Sequence, residues 1–433
     1  MLRKLPHAPL EAGMRLAESR SLENRVRRLF AGDPELLADP YPTWNELRTR
    51  HPVWRLDDVV VLSRHADVKQ LLGDNNILYS RAATRHSTRY EQARERFSPP
   101  GRAAFDRVLG HEFHQLVRMD PPRHPRVRRV VLPPFSARSL ARDMEAAVRR
   151  RVDENLDRLL TQRQDVVDFK RFAYTLPLEV LGDLLGIPLG ELDMVHSWAQ
   201  KIAENKLNAD SEAKAVAADE AYTALLTYID DLVAQQRATG RQTGLVAAVL
   251  DAESAGQLSR EELMGMLALM IFAGHETTSN LLAVGLLELL RRPEQWQRLC
   301  ADPERAPVAV EELLRFVTPA HFLQYVAAES REVAGVPIRA GDTVIGVLAA
   351  ANRDPDVFVD PDRLDLDRSD SRHHVSLGLG PHFCLGAGLA RMEATMLFRS
   401  AAQRLPDLRL ADDNLEWGGR SLRTPHRLPV ALR

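Results

Sequence analysis

Leu377-Gly378-Leu379-Gly380-Pro381-His382-Phe383-Cys384-Leu385-Gly386 runs directly into a helix-forming segment from about Ala387 to Arg404. The chain has only two cysteines in 433 residues, Cys300 and Cys384, and one of them stands in this glycine-punctuated loop. Glycines at 378, 380 and 386 permit positive φ angles and a close approach of backbone to something flat. A sulfur just ahead of a helix meets unpaired N–H groups and the positive end of the helix dipole, which predicts a depressed thiol pKa. Such a group is fit to be a nucleophile or an axial metal ligand. The plain alternative is a buried structural cysteine in a turn.

Working outward, the longest helical pattern of the chain begins at Ser259, whose hydroxyl and Glu262 form a capping box, and runs to Arg292 before Pro293. At 1.5 Å per residue this predicts a helix of about 50 Å. Its nearly charge-free middle predicts a path through the centre of the protein, while His275, Glu276, Thr277, Thr278 and Asn280 interrupt it too often for a membrane span. Gly274 marks a close approach or a distortion. A threonine behind it bonds back to the i−4 carbonyl or turns to a ligand. A carboxylate at the centre of an apolar helix is costly without a task or a partner, and that singles out Glu276. No His-Glu-x-x-His follows, which argues against zinc.

Two further stretches carry charge at meaningful spacing. In Asp120-Pro121-Pro122-Arg123-His124-Pro125-Arg126-Val127-Arg128, Asp120 is placed to cap a helix opened by Pro121, and His124 and Arg128 fall on one face. Two such side chains can hold a pair of carboxylates. Glu312 and Arg315 form a Glu-x-x-Arg pair in a helix opened by Pro307. Between Tyr79 and Val117 the pattern breaks down into an arginine-rich connection with Phe97, Phe105 and Phe113 as its apolar members. Val53–Leu56 and Val59–Leu62 predict a hairpin turning at Asp57-Asp58.

Composition narrows the class. The formal net charge is −2, with no basic tail or aromatic-interleaved basic stripe, so nucleic acid is not an expected partner. Two cysteines exclude a disulfide framework and suit a reducing compartment. No apolar run follows the basic Met1-Leu2-Arg3-Lys4, so no membrane anchor is expected and a cytoplasmic location is.

The Cys384 stretch resembles the haem-ligand loop of the cytochrome P-450 family, Phe-Gly-x-Gly-x-(Arg/His)-x-Cys-x-Gly, at every position but the first, where Leu377 replaces phenylalanine. Ala273-Gly274-His275-Glu276-Thr277-Thr278 resembles that family's oxygen-activation motif, and the Asp-Pro-Pro-x-His-x-x-x-Arg stretch resembles its haem-propionate helix. The resemblance covers nearly the entire chain. It implies a mostly α fold with small β-sheets on one side, as a single domain over 1–433: a β-rich part at about 52–63 and 320–348, and a helical haem-binding core at about 119–318 and 350–404. It implies haem b with Cys384 as axial ligand to iron, and O2 as co-substrate. His124, Arg128, Tyr325, His382, Ala273, Phe383 and Gly386 are then the other cofactor contacts, and Glu276 with Thr277 the catalytic pair. Leu269, Phe272, Ala273, Ala320, His321, Phe322 and Leu422 are the candidate substrate contacts, with Ser421, Trp198, Ile202 and Leu207 behind them. Glu312, Arg315 and Arg363 form a structural triad.

The implied function is insertion of one oxygen atom of O2 into an apolar organic substrate, an aromatic one being favoured, by hydroxylation or oxidative O-dealkylation. No flavin or iron–sulfur module is visible, so electrons are expected from a ferredoxin or flavodoxin fed by an NAD(P)H-dependent reductase, docking near Arg126, Arg129, Arg372 and Arg391. A peroxide-dependent haem-thiolate oxygenase is the alternative enzyme. A haem sensor closed by a sixth protein ligand, for which His275 is the candidate, is the non-enzymatic one. One departure matters: many family members carry a propionate-contacting arginine where this chain has Tyr325. Tyr325→Arg is therefore expected to tighten haem retention.

Overall fold

The computed structural model describes residues 21–74, 79–83, 88–161, 164–206, 211–240 and 244–432. Leu207 and the basic N-terminal residues lie outside them. The elements that carry the argument are helices α1 (Pro99–Glu112), α2 (Arg123–Val131), α3 (Phe169–Leu185), α4 (Leu192–Lys206), α5 (Glu212–Thr239), α6 (Arg260–Ala273), α7 (Glu276–Leu290), α8 (Ala306–Val317) and α9 (Ala387–Arg404). One sheet joins β1 (Val53–Leu56), β2 (Val59–Leu62), β3 (Tyr79–Ser80), β4 (Phe322–Ala327) and β5 (Thr343–Val347) in the order β1-β2-β5-β4-β3. The β1–β2 hairpin turns at Asp57, which takes φ 57°, and β5 joins β2 in parallel. Among the described residues, three further sheets of two or three strands complete the β structure.

Burial explains the layout. The larger core packs Leu281, Leu282, Val284, Leu286 and Leu287 of α7 against Val310, Leu313 and Leu314 of α8 and Leu397 and Phe398 of α9. A second core lies under α4 and α5, where Leu263, Met266, Leu267 and Ile271 of α6 meet Tyr222, Leu225 and Ile229. Each of these aliphatic side chains contributes about 1.5–3 kcal/mol when fully buried. The long helix therefore belongs to both cores, one half to each.

The long helix is not continuous. Ser259 caps α6 with the full capping box to Glu262, but α6 ends at Ala273 and α7 begins at Glu276. Gly274 sits at the break, where an added Cβ would come within 2.6 Å of the Met270 carbonyl oxygen. The distortion expected from that glycine is a full interruption.

The arginine-rich connection is also more ordered than its composition suggests. It contains a helix at Thr88–Glu95 and all of α1. Phe97 and Phe105 meet edge to face at 5.6 Å and close over Ala215 of α5 as a small core of their own. Phe113 lies under the Arg123 guanidinium, 4.7 Å from its ring centre.

Asp120 does not cap α2, whose N-cap position is Pro122. Its carboxylate instead accepts from the backbone N–H groups of Arg81 (3.0 Å) and Ala82 (3.3 Å) and from the Ser80 hydroxyl. The buried ion cluster differs from expectation in one member. Glu312 holds Arg315 through two bonds of 2.7 Å and Arg368 through one of 3.1 Å. Arg363 offers only its carbonyl to both arginines, while its side chain is 65% exposed. The turn at Asp360, with φ 46°, is followed by outward-facing side chains, and Arg368 is the cation that returns inward.

Candidate active site

One cavity brings the decisive residues together. Leu116, Val117, Met266, Leu269, Met270, Ala273, Gly274 and Thr277 line it on one side, and His382, Phe383, Cys384, Leu385, Gly386, Leu389 and Ala390 on the other. The two walls come from the end of α6 with its break, and from the loop that opens α9. In that loop Gly378 and Gly380 take φ 70° and 61°, which lets the chain fold back so that the Cys384 N–H donates to the Leu377 carbonyl at 2.8 Å. Gly386 keeps an ordinary φ of −83°, so its role is not a turn. A Cβ there would meet no atom within 4 Å among the described residues, although it lines the cavity. No packing within the chain demands glycine, whereas a flat group lying against that wall would.

Burial pushes the Cys384 thiol up, and the Gly386 N–H, Arg128 and Arg391 offset only part of that. The depressed value expected from the helix start is not seen, because desolvation outweighs the dipole when no cation lies against the sulfur. Metal coordination would reverse this balance, since a coordinating thiol is deprotonated. Cys300 sits on the helix Pro293–Ala301 against the larger core and does not line the cavity.

At the cavity rim His124 and His382 lie with ring centres 4.3 Å apart. Arg128 donates to the Phe383 carbonyl at 2.7 Å, tying α2 to the thiol loop. Burial, with the charges of Arg128 and Arg81, lowers His124 to about 4, and burial with Arg81, His124 and Arg128 lowers His382 to about 2. Both rings are neutral donors near fixed cations, and Nε2 of His124 is buried without a hydrogen-bond partner among the described residues. Such a rim fits an anionic group, as haem carboxylates would be. Tyr325 is buried nearby, and the guanidinium of Arg81 lies 4.5 Å above its ring.

Glu276 and Thr277 are neighbours that face different ways. Thr277 lines the Cys384 cavity and donates its hydroxyl to the Ala273 carbonyl at 3.1 Å. Glu276 lines a second cavity of about 460 Å³ with Lys170, Tyr174, His196, Ser279, Asn280 and Leu422. Burial lowers Lys170 to about 8, and the Glu276 charge is the first influence against that shift. Lys170 also donates to the Thr424 hydroxyl at 2.7 Å. His275 is buried edge-on between Tyr174 (5.2 Å) and His196 (4.6 Å) and does not line the Cys384 cavity. It is therefore not aimed to close an iron site from the side opposite Cys384.

The substrate expectations fare unevenly. Leu269 and Ala273 line the cavity, with Met266 beside them. Phe272 turns away to pack on Tyr222 at 5.7 Å, because α6 spends that face on the second core. His321 is a core residue, 2% exposed with its ring against Tyr41, and its backbone N–H donates to the Ser421 carbonyl at 2.7 Å. Phe322 packs edge-on against Phe30 at 5.0 Å. Ala320 lines neither cavity, and Ser421 and Leu422 line the second one. Ile202 is buried in the second core and Trp198 packs against Tyr228 at 6.0 Å. Of the four arginines expected to meet an electron donor, Arg126 is bound to Glu262 and Arg391 to Glu311, while Arg129 and Arg372 are exposed.

Two residues were not anticipated. Glu393 lines the Cys384 cavity from α9, fully buried, with Oε2 lacking a hydrogen-bond partner among the described residues. A lone carboxylate between Leu389, Ala394 and Leu397 was the available signal. Arg81 had no local signal, since only β-sheet pairing brings it to the rim.

Comparison with known proteins agrees with this geometry. The family model described as "Cytochrome P450" matches residues 53–405. "Cytochrome P450 107B1" of Saccharopolyspora erythraea is 35% identical over 404 residues, covering 90% of this chain and 94% of the relative. "Pentalenic acid synthase" of Streptomyces avermitilis is 34% identical over 391 residues, covering 88% and 91%. The solved structure of CYP164A2 from Mycobacterium smegmatis superposes with a TM-score of 0.81 at 30% identity, covering 94% of this chain and 99% of that one. Among the described residues no helix is long and apolar enough to cross a membrane. With 353 consecutive residues of the chain inside that match, and the thiol loop, the broken central helix and the donor-lined rim meeting at one cavity, the chain belongs to the cytochrome P-450 family of haem-thiolate monooxygenases.

Proposed function

We propose that Cys384 would hold the iron of haem b through its thiolate, that His124, Arg128 and His382 would receive the haem propionates with Tyr325 as a neutral neighbour, and that Ala273, Phe383 and Gly386 would line the rest of its site. Haem held by that thiolate would supply the chemistry of O2 activation. Thr277 holds a hydrogen-bonding hydroxyl inside the reaction cavity, and Glu276 brings protons to it from the Lys170 side. The observation that carries this division of labour is that adjacent residues line two separate cavities, one containing the thiol and the other polar groups. Met266, Leu269 and Met270 make that cavity wall apolar, so protons are to reach the site through side chains rather than bulk solvent.

The same aliphatic lining supports an apolar organic substrate, with aromatic compounds first among those to screen, and hydroxylation or O-dealkylation as the outcome. The similarity to pentalenic acid synthase adds carboxylated apolar compounds to that screen. Bacterial members of the family generally draw electrons from ferredoxin and reductase partners. For this chain we propose a ferredoxin or flavodoxin with an NAD(P)H-dependent reductase, docking at Arg129 and Arg372, and a single-domain enzyme working in the cytoplasm. The test is turnover under isotopically labelled O2 with a ferredoxin system, using ligands chosen by their shift of the haem spectrum to high spin. One labelled atom in the product supports the reading. Product formed with peroxide alone, and none with O2 and electrons, would replace it with the peroxide-dependent alternative.

A further inference from the structure

One side chain ties together the two pieces of the wall that faces the thiol loop. Leu116 and Val117 lie in a single 3-10 turn after α1, whereas Leu269 and Ala273 come from α6. Tyr222 of α5 is fully buried behind them and does not itself line the cavity. Its hydroxyl accepts from Nε2 of the buried Gln115 at 2.7 Å, and its ring packs on Phe272 at 5.7 Å. Gln115 immediately precedes Leu116, and Phe272 immediately precedes Ala273. Tyr222 therefore holds each piece of the wall at the residue just before its lining side chain.

The surroundings make this hold a directional one. The His111 ring stacks on Tyr222 at 5.0 Å, so the phenol is fixed between α1 and α6. Burial pushes the Tyr222 hydroxyl pKa up, which keeps the phenol neutral. Arg123 of α2 donates to the Phe113 carbonyl at 3.1 Å and to His114 Nδ1 at 2.8 Å. Gly265 lets α6 come close, since an added Cβ would collide with the His114 carbonyl. Three consecutive residues before the wall are thus tied to three different helices, Phe113 and His114 to α2, His114 also to α6, and Gln115 to α5. A segment held in this way is ordered before any ligand arrives, and binding has no ordering cost to meet there.

We propose that Tyr222 is a positioning residue that determines specificity: through Gln115, its hydroxyl sets the gap between Leu116–Val117 and α6. The cavity then selects rigid apolar compounds by width and does not remould itself around them. This rests on the reading of the Cys384 cavity as the place where haem and substrate meet.

Imidazole and phenylimidazole are the probes, because both ligate haem iron from the cavity while only the second carries a ring that must fit the gap. Their dissociation constants are read from the Soret shift in parent, Tyr222→Phe, the Gln115→Leu/Tyr222→Phe double variant and Arg107→Met, with urea unfolding of each. Tyr222→Phe keeps the ring against His111 and Phe272 and removes only the hydrogen-bond acceptor. Imidazole should bind within about twofold of parent, while phenylimidazole weakens at least about fivefold as the wall must be re-ordered on binding. The single variant strands the Gln115 amide and loses stability; the double variant strands neither partner and recovers it, yet keeps the weakened phenylimidazole binding. Arg107→Met breaks the exposed link from α1 to Asp219 of α5 and should shift neither ligand by more than about twofold. If Tyr222→Phe is recovered unfolded, Gln115→Leu breaks the same bond from the other side and is read in the same way. An unchanged ratio of the two dissociation constants overturns the proposal. So does selectivity that returns with stability in the double variant, or an equal loss in Arg107→Met, which would assign the effect to α1–α5 packing as a whole. Parent protein that binds haem without a thiolate-type carbon monoxide spectrum would instead overturn the placing of the haem, and the proposal with it.

Discussion

Glu393 makes the stability of this protein depend on pH in an unusual direction. Burial pushes its carboxyl from the ordinary 4.5 up to about 8, with no compensating charge beside it. A carboxylate whose folded pKa is raised favours the folded state in its protonated form. That contribution is complete below pH 4.5, declines as pH rises, and is fully lost above about 8. Each pH unit inside the window is worth about 1.4 kcal/mol, so the whole span comes to about 5 kcal/mol. Glu393→Gln keeps the shape and removes the proton. Between about pH 5.5 and pH 7.5 the stability of the variant should therefore gain on that of the parent by about 3 kcal/mol. Urea unfolding of both proteins at matched haem occupancy measures this, because every other titrating group cancels in the difference. A difference that stays constant across that range would refute the argument. It would mean that a water or backbone donor holds the carboxylate charged, and that Glu393 is solvated through the cavity it lines.

Cys384→Ser should abolish the thiolate-type spectrum of the ferrous carbon monoxide complex while Cys300→Ser retains it; the reverse result would move the ligand. Arg368→Met strands one side of a buried carboxylate and should cost about 3–5 kcal/mol in unfolding experiments, whereas the exposed Arg363→Met should change stability by about 0.5 kcal/mol or less. Thr277→Ala and Thr277→Val should preserve ligand affinity and the carbon monoxide spectrum while lowering product per NAD(P)H and raising released peroxide; full coupling in both would remove the hydroxyl from the mechanism. Glu276→Gln should slow turnover with O2 and enlarge its solvent isotope effect, yet affect peroxide-driven turnover less, and equal losses on both routes would point to a structural role.

The parts of the fold legible in the sequence are those written in local spacing. The capping box at Ser259, the Asp57 hairpin and the glycines at 378 and 380 are each decided within four or five residues. The misreadings share a different cause. Helix α1 buries Ala104, Phe105 and Val108 and packs along α5, far downstream in the chain, so its arginine-rich surface hid a core-facing side. The resemblance implies His321 and Phe322 as substrate contacts, but Tyr41 and Phe30, far upstream, pack against them. Arg368 and Arg363 stand five residues apart with the same charge, and only the turn at Asp360 decides which one reaches Glu312. Burial of the Cys384 thiol is imposed by distant parts of the chain, so the loop sequence shows the helix dipole, a local term, and not the desolvation that opposes it.

The break between α6 and α7 ties these local and distant terms together. Consecutive residues on a helix stand about 100° apart, so Glu276 and Thr277 cannot share one face. Each instead lines its own cavity. At the break the hydroxyls of Thr277 and Thr278 donate to the carbonyls of Ala273 and Gly274, at 3.1 and 3.4 Å. With its hydrogen committed to that carbonyl, the Thr277 oxygen presents lone pairs to the Cys384 cavity and so accepts a hydrogen bond there. Valine fills the same volume without accepting one, so Thr277→Val separates the hydroxyl from the shape of residue 277. The helix is interrupted where a side-chain oxygen can take over a backbone bond and still face the reaction.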